Sequence, residues 1–368
     1  MSIPPLLAEA LHIKKQFNIG LLRQLVQLIY LRLSRCRLDP WEYYFFQVYL
    51  DRYPMKEKHR FAGWRREVTV DRLVNPGSAR ELANDKLLFY TTMNARGAPL
   101  PKLAAVYCNQ DQNIPGAVPL HDPGEIAKFI TDPAHMPLFI KPLRGAHGHN
   151  NFAIRGPSSN RRDVTLLSGQ RVRVKDLVTT LVQHDQGGWL FQELLRTDHA
   201  IGKLCGDRLT SLRFIVIVAD YGPEILSAVW KIPTGTNVTD NFDVGRNGNL
   251  VAGIDPATGN IRRVVQGVGW KNIPVTRHPD TGAKLDDAQL PGWENAKALC
   301  LELAPHIPGL RLQHSDIALT NRGPVLLELN VAGGMRAHQI VEQRGIFGER
   351  LTALEEQCRS QEKQDRKI

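Results

Sequence analysis

Apolar and polar positions recur along this chain with two different periods, which divide it into helical and extended stretches. Over residues 11–38 apolar side chains return at helical spacing (Leu21, Leu22, Leu25, Leu28, Ile29, Leu31, Leu33), with Lys14, Lys15, Arg23, Arg32, Arg35 and Arg37 between them. Asp39 and Pro40 have the form of a helix start, and residues 41–50 predict a second, aromatic-rich helix. A further helix is expected over 84–93, ended by Gly97, followed by a strand at 103–107. Short apolar runs at 136–143 and 189–195 read as strands, and 209–219 pairs with 224–232 across a turn at 220–223. Residues 291–304 predict a helix. Residues 315–319 and 323–330 then form a hairpin whose turn is signalled by Asn321, Gly323 and Pro324. The tail at 349–368 predicts a charged helix that frays.

Composition narrows the class. At 368 residues and 42% hydrophobic content, the chain can bury one large core or two to three smaller ones. It has no run of eighteen apolar residues to span a bilayer. Its first residues lack the basic segment and apolar core of a signal peptide, so a cytoplasmic protein is expected. The five cysteines are scattered and form no CxxC pair, so the expectation is reduced thiols without a disulfide framework or a zinc site. The net charge of +10 invites anionic partners: a nucleotide, a phosphorylated carrier, a membrane surface or nucleic acid. Nucleic acid is suggested by charge alone, since no zinc-finger or stacking module accompanies it. Residues 1–70 carry 12 Lys/Arg against 6 Asp/Glu, so the excess is concentrated there. A basic amphipathic helix pair of this kind packs on its own domain with its charges in water; the minority alternative is contact with an anionic bilayer.

Several side chains are poorly explained by folding alone. Glu328 and Asn330 are two residues apart on one strand and share a face, which Asp316 reaches from the partner strand. Two carboxylates and an amide oxygen suit a hard cation such as Mg²⁺; the alternative is a hairpin with a solvated acidic face. Lys141 interrupts an apolar strand and must find an anion or reach water. Lys86 sits near a helix start, where a cation gains nothing from the macrodipole, although a solvated lysine is the default reading. Gly145 and Gly148 follow Lys141 in a turn whose backbone N–H groups can close on phosphates, without forming a Walker A or dinucleotide motif. Residues 192–195 can offer backbone groups to a purine edge, with Asp198 or His199 for ribose hydroxyls; a plain sheet strand fits equally well. Arg213 and Lys231 are cations in core-type strands, which answer a carboxylate or phosphate. The Gly- and Asn-rich stretch 234–253, with Asn241, reads as a long functional loop between strands of one sheet.

Taken in order, Lys86, Lys141, the glycine loop, Gln192-Glu193-Leu194, Arg213, Asn241, Asp316 and Glu328-x-Asn330 resemble the ATP-grasp superfamily over about residues 38–340. Residues 38–44, Leu209-Thr-Ser-Leu-Arg213 and Val238-Thr-Asp-Asn-Phe242 are similar to its sugar-transfer-associated branch. The resemblance implies an α+β fold in which two α+β lobes clamp ATP between antiparallel sheets, here with an N-terminal helical extension. The expected division is a basic helical region at 1–77, a first lobe at 78–135, a small ATP-grasp lobe at 136–198, a large lobe with the metal site at 199–348 and a C-terminal helix at 349–368.

The resemblance also implies roles. Lys86 and Lys141 would contact phosphates, Lys141 also the adenine, while Gln192, Glu193, Leu194 and Leu195 would line the purine site. Asp198 or His199 would take the ribose, and Gly145, Gly148 and Lys231 complete the nucleotide-binding set. Asp316, Glu328 and Asn330 would carry Mg²⁺, and Arg213, Lys141 and Asn241 would act on the transferring phosphate. Leu312-Gln-His-Ser315 and Val331-Ala-Gly-Gly-Met-Arg336 depart from the usual pattern on the acceptor side. The implied activity is a carboxylate–amine ligase acting through an acyl phosphate on a sugar acid or amino acid. The alternatives are an ATP-dependent small-molecule kinase and a membrane-associated accessory protein of surface-polysaccharide assembly.

Overall fold

A computed structural model describes residues 5–108, 114–144, 150–184, 187–307 and 309–365. Its framework is two seven-stranded, largely antiparallel sheets. The first contains β1 (Leu103–Tyr107), β2 (Val118–Leu120), β3 (Leu138–Pro142), β4 (Phe152–Pro157), β5 (Asp163–Leu166), β6 (Arg171–Arg173) and β7 (Trp189–Glu193), in the spatial order β2-β1-β7-β3-β4-β5-β6. The segments 78–135 and 136–198 therefore contribute strands to a single sheet. The second contains β8 (Ser211–Ala219), β9 (Gly222–Ile232), β10 (Leu250–Ile254), β11 (Ile261–Gln266), β12 (Ile273–Pro274), β13 (Leu312–Thr320) and β14 (Gly323–Asn330), ordered β12-β11-β10-β9-β8-β13-β14. The stretch after β9 does join two strands of one sheet, since β9 pairs with β10.

Alternation along the strands decides what covers each face. In the first sheet Leu138 and Ile140 of β3 pack with Ile126, Leu177 and Leu181 of the helices Pro123–Ile130 and Val174–Gln183. Lys141 points to the opposite face. In the second sheet Ala228, Trp230 and Ile232 of β9 belong to a core with Trp293 and Leu303 of the helix Trp293–Leu303. Val229, Val251 and Val265 belong to a different core, with Ile13, Leu31, Tyr43 and Tyr44 from the N-terminal helices. Both faces of this sheet are buried, which is why β8 and β9 read as near-continuous apolar runs.

Three helical expectations change. The single helix read over 11–38 is two, Pro5–Phe17 and Leu21–Leu33, because Asn18 adopts φ +55° and Ile19 turns into the core. The helix read over 41–50 stops at Phe45: Gln47 has φ +54°, and Phe46, Val48 and Tyr49 are buried as separate anchors instead. The C-terminal helix Glu349–Asp365 does not fray at its start. Leu351, Leu354 and Cys358 are buried with Val70 and Val74 of the helix Trp64–Val74, and Arg66 pairs with Glu355. Among the described residues, no helix is long and apolar enough to cross a membrane.

Candidate active site

The site lies where β8, β13 and β14 of the second sheet meet β3 of the first. Arg213 and Asp316 are direct cross-strand partners on β8 and β13, and Asp316 is in turn opposite Glu328 on β14. Partners in register share a face, so the three charged groups converge although 115 residues separate Arg213 from Glu328 in sequence. The Arg213 guanidinium donates to both Asp316 oxygens, Nε at 2.7 Å and Nη2 at 2.6 Å. Lys231 Nζ donates to Asp316 Oδ2 at 3.1 Å and lies 3.5 Å from Asp240. Asp240 Oδ2 accepts from Ser211 Oγ at 2.6 Å. Burial opposes ionisation of Asp316, but Arg213 and Lys231 outweigh it and hold its carboxyl below the usual range. Burial also disfavours the Arg213 charge, yet Asp316 and then Glu328 and Asp240 raise its pKa.

Glu328 has a more open setting. Its Oε1 lies 3.9 Å from Arg213 Nη2 and accepts from Asn330 Nδ2 at 3.2 Å, so Glu328 and Asn330 do share a face. From the first sheet, Lys141 Nζ donates to the Leu327 carbonyl on β14 at 3.4 Å. Burial pushes the Lys141 ammonium down to about 8, with Lys86 adding to the effect and Glu328 opposing it. Burial likewise lowers Lys86, against the pull of Glu328 and Asp85. Lys86 opens the helix Lys86–Asn94, capped by Asp85, whose side chain accepts from the Leu87 and Leu88 N–H groups. Two ammonium groups and one guanidinium thus feel a single carboxylate.

The other expected residues are distributed as follows. Gln192 is buried on β7, opposite Phe139 of β3. The Glu193 carboxylate is engaged by Arg322, with Nη1 at 3.2 Å from Oε2, and by the Lys102 N–H at 2.6 Å; this ties the end of β7 to the β13–β14 turn. The Leu194 N–H donates to Pro137 O at 3.2 Å, and Leu195 is half-buried just beyond the strand. Asp198 caps the helix His199–Cys205 by accepting from the Ala200 and Ile201 N–H groups, and His199 is exposed at its first position. Asn241 sits beside the charge cluster, with its main-chain oxygen accepting from Asn249 Nδ2 at 2.8 Å, while its neighbour Asp240 enters the cluster. Gly145 and Gly148 lie outside the described residues. A cavity of about 710 Å³, lined by Arg162, Arg173 and Lys175, lies against the helices of the first sheet, away from these groups.

The residues that sequence reasoning missed come from the N-terminal region and the turn after β14. Glu67, from the helix Trp64–Val74, is buried and accepts from the Gly334 N–H at 2.9 Å and the Met335 N–H at 3.4 Å. Asp71 accepts from Ala332 N at 3.2 Å, and Arg213 Nη1 donates to Gly333 O at 3.3 Å. A Cβ at Gly334 would come within 2.8 Å of His314 Nδ1, so only glycine lets the turn pass there. Burial raises Glu67 to about 7 against those two N–H donors and lowers His314 to about 3. The signal available was the pair of carboxylates Glu67 and Asp71 at i, i+4 in a region otherwise rich in basic residues.

Could this donor set hold a divalent cation? Among the described residues, no group of three or more His, Cys, Asp or Glu side chains is arranged to hold one. With Asn330 included the chemistry fits: Glu328 and Asn330 offer oxygens, and Asp316 has used three of its roughly four acceptor sites on Arg213 and Lys231.

Comparison with known proteins decides the family. The profile described as sugar-transfer associated ATP-grasp matches residues 65–356, most of the chain. The protein belongs to this ATP-grasp family. The match begins within the helix that carries Glu67 and Asp71 and takes in every residue of the charge cluster. Among solved structures, this ATP-grasp chain is similar to D-alanine–D-alanine ligase from Bacillus anthracis, at 10% identity over 82% of this chain and 77% of that one, TM-score 0.41. It is similar to D-alanyl-alanine synthetase A from Vibrio cholerae, at 14% identity over 87% and 73%, TM-score 0.41. A third similarity is to L-amino acid ligase from Bacillus licheniformis, at 13% identity over 79% of this chain and 53% of that one, TM-score 0.40. No curated protein sequence matches the chain.

Proposed function

We propose that this ATP-grasp protein is an ATP- and magnesium-dependent ligase that joins a carboxylate to an amine. The observation that supports it most is the meeting of Lys86, Lys141 and Arg213 around Glu328, with contributions from both sheets. Lys141 and Lys86 hold the phosphates from the first-sheet side, where the negative charge of a triphosphate favours both ammonium groups against the burial that lowers them. Backbone groups around Gln192–Leu195 meet the purine. With Asp198 committed as a helix cap, the ribose contact falls to its unused oxygen or to His199.

Glu328, Asn330 and the remaining acceptor site of Asp316 would hold Mg²⁺, which neutralises charge on the phosphates when bound. Arg213, fixed by Asp316, faces the transferring phosphoryl group; Asn241 lies beside it. A substrate carboxylate oxygen attacks the γ-phosphorus and ADP leaves, giving an acyl phosphate. The amine nitrogen then attacks the acyl carbon, phosphate leaves, and the nitrogen loses a proton to form the amide. The protein positions and neutralises rather than reacts. The substrates are a sugar acid or amino acid and an amine, in cytoplasmic assembly of a surface polysaccharide or natural product.

A phosphate-release screen over amino acids and uronic acids with Mg-ATP, followed by mass spectrometry, tests this reading. An amide with one ADP and one phosphate per turnover supports it. A stable phosphorylated product without free phosphate would assign the site to a kinase.

A further inference from the structure

Helix Leu21–Leu33 is apolar on its outward side as well as its inward one. Its inward side buries Leu31 and, beside it, glutamines. Gln24 is buried, with Nε2 donating to Ile19 O at 2.8 Å and Ala10 O at 3.0 Å, and Oε1 accepting from Tyr44 OH at 3.0 Å. Gln27 Oε1 accepts from Tyr43 OH at 2.9 Å and from Lys58 Nζ at 3.3 Å. The outward side carries the large apolar residues: Leu22 is 75% exposed, Leu25 53%, Val26 58%, Ile29 52% and Leu33 81%. At 100° per residue these five fall in one continuous arc, spaced i, i+3, i+4, i+7 and i+11. Scattered surface leucines need no explanation, but a contiguous face does.

The charge around this face identifies what covers it. Residues 5–37 contain six Lys/Arg and a single acidic residue, Glu9. Arg23 and Arg32 flank the arc, each paired with an aspartate, Asp51 and Asp39. Lys14, Lys15, Arg35 and Arg37 are exposed. On the adjoining helix Pro5–Phe17, Leu7 and Leu11 continue onto Lys14 and Lys15 at i+3 and i+4 spacing, so an exposed apolar strip runs into exposed cations there too. Arg23 and Arg32 are answered by Asp51 and Asp39, but a second copy of the chain brings further cations to this basic rim (Lys14, Lys15, Arg35 and Arg37) and no added anion within residues 5–37 beyond Glu9 to meet them. Lipid phosphates neutralise the rim while acyl chains take the leucines.

We propose that the outward face of helix Leu21–Leu33, with the exposed cations of the two N-terminal helices, docks flat on an anionic bilayer surface. The helix lies in the headgroup plane and does not cross it. This surface is independent of the ligase reading: vesicle binding by a chain with no turnover leaves it standing.

The test is flotation of the full-length chain with phosphatidylglycerol-containing vesicles and with pure phosphatidylcholine vesicles. The wild-type chain floats with the anionic vesicles alone and is released by high salt. The Leu25→Asp/Ile29→Asp variant stays behind, and Lys14→Glu/Lys15→Glu lowers the partition coefficient by at least about tenfold. All four positions are exposed, so circular dichroism and the unfolding midpoint stay at wild-type values. Absence of flotation with anionic vesicles overturns the proposal, as does flotation that Leu25→Asp/Ile29→Asp leaves intact. A concentration-dependent dimer in ultracentrifugation, lost in that variant and without vesicle binding, would assign the face to a second copy.

Discussion

Arg213 and Asp316 face each other across β8 and β13, and two hydrogen bonds of 2.7 and 2.6 Å lock the guanidinium onto the carboxylate. The pair holds the guanidinium with Nη2 3.9 Å from Glu328 Oε1. Asp316 also holds Lys231, so this carboxylate is the nearest counter-charge of two largely buried cations, ahead of Asp240 and Glu328. Its replacement by alanine is expected to cost about 3–5 kcal/mol, because it strands buried charge. Urea unfolding measures this. The Arg213→Ala/Asp316→Ala double variant should be less destabilised than the sum of the two singles.

Glu328 is placed differently, about a third exposed, with one hydrogen bond from Asn330. Glu328→Gln should change stability by less than about 1 kcal/mol. Turnover should fall by at least about 100-fold, because in the proposed reading Glu328 would help to hold the metal that balances the phosphate charge. Parallel thermal melts and phosphate-release assays separate the two effects.

Lys141 makes the first pH-dependent prediction. Burial lowers its ammonium to about 8 in the folded chain, below the ordinary lysine value of about 10.4. Within that window the unfolded chain holds a proton that the folded chain has released, so stability rises with pH there; below it the folded state carries the full penalty. Lys141→Met should therefore raise the unfolding midpoint of the free protein at neutral pH, with the gain fading near about pH 10. Nucleotide affinity should move the other way, lost in Lys141→Met and weakening in the wild type as pH rises through about 8.

Glu67 has the opposite sign. Its folded value is raised to about 7, so between about 4.3 and that value the folded chain keeps a proton the unfolded chain has lost. Stability from this group is present at acid pH and lost as pH rises through about 7. Glu67→Gln, which can still accept from the Gly334 N–H, should flatten the stability profile and raise the midpoint above neutrality. Thermal melts across the range check it.

Much of this arrangement was legible in the chain, for reasons that differ by element. The hairpin β13–β14 was readable because strand alternation and a glycine turn are local signals, and they correctly placed Glu328 and Asn330 on one face. The embedded cations Lys141, Arg213 and Lys231 were readable because a charge in an apolar strand needs a partner. What local pattern could not supply was which partner. Arg213 and Lys231 answer Asp316, set by register across strands about a hundred residues apart, and Lys231 also answers Asp240 from the loop that follows its own strand. Asp240 lies in a stretch singled out for its loop composition, yet nothing in the composition says that its side chain joins Lys231 and Ser211. Glu67 was hidden by its surroundings, a region whose net charge reads as basic although its carboxylate caps the turn after β14. The exposed face of helix Leu21–Leu33 was hidden by its own periodicity: helical spacing shows that an apolar face exists, not that Gln24 and Gln27 take the inner side.

The central claim is that groups from both sheets converge on one magnesium nucleotide, and calorimetry with a non-hydrolysable ATP analogue and Mg²⁺ tests it most directly. The wild-type chain should bind one equivalent, and Lys141→Ala on the first sheet and Glu328→Gln on the second should each weaken binding at least about tenfold. No heat of binding in the wild type, or binding that both substitutions leave unchanged, would contradict it.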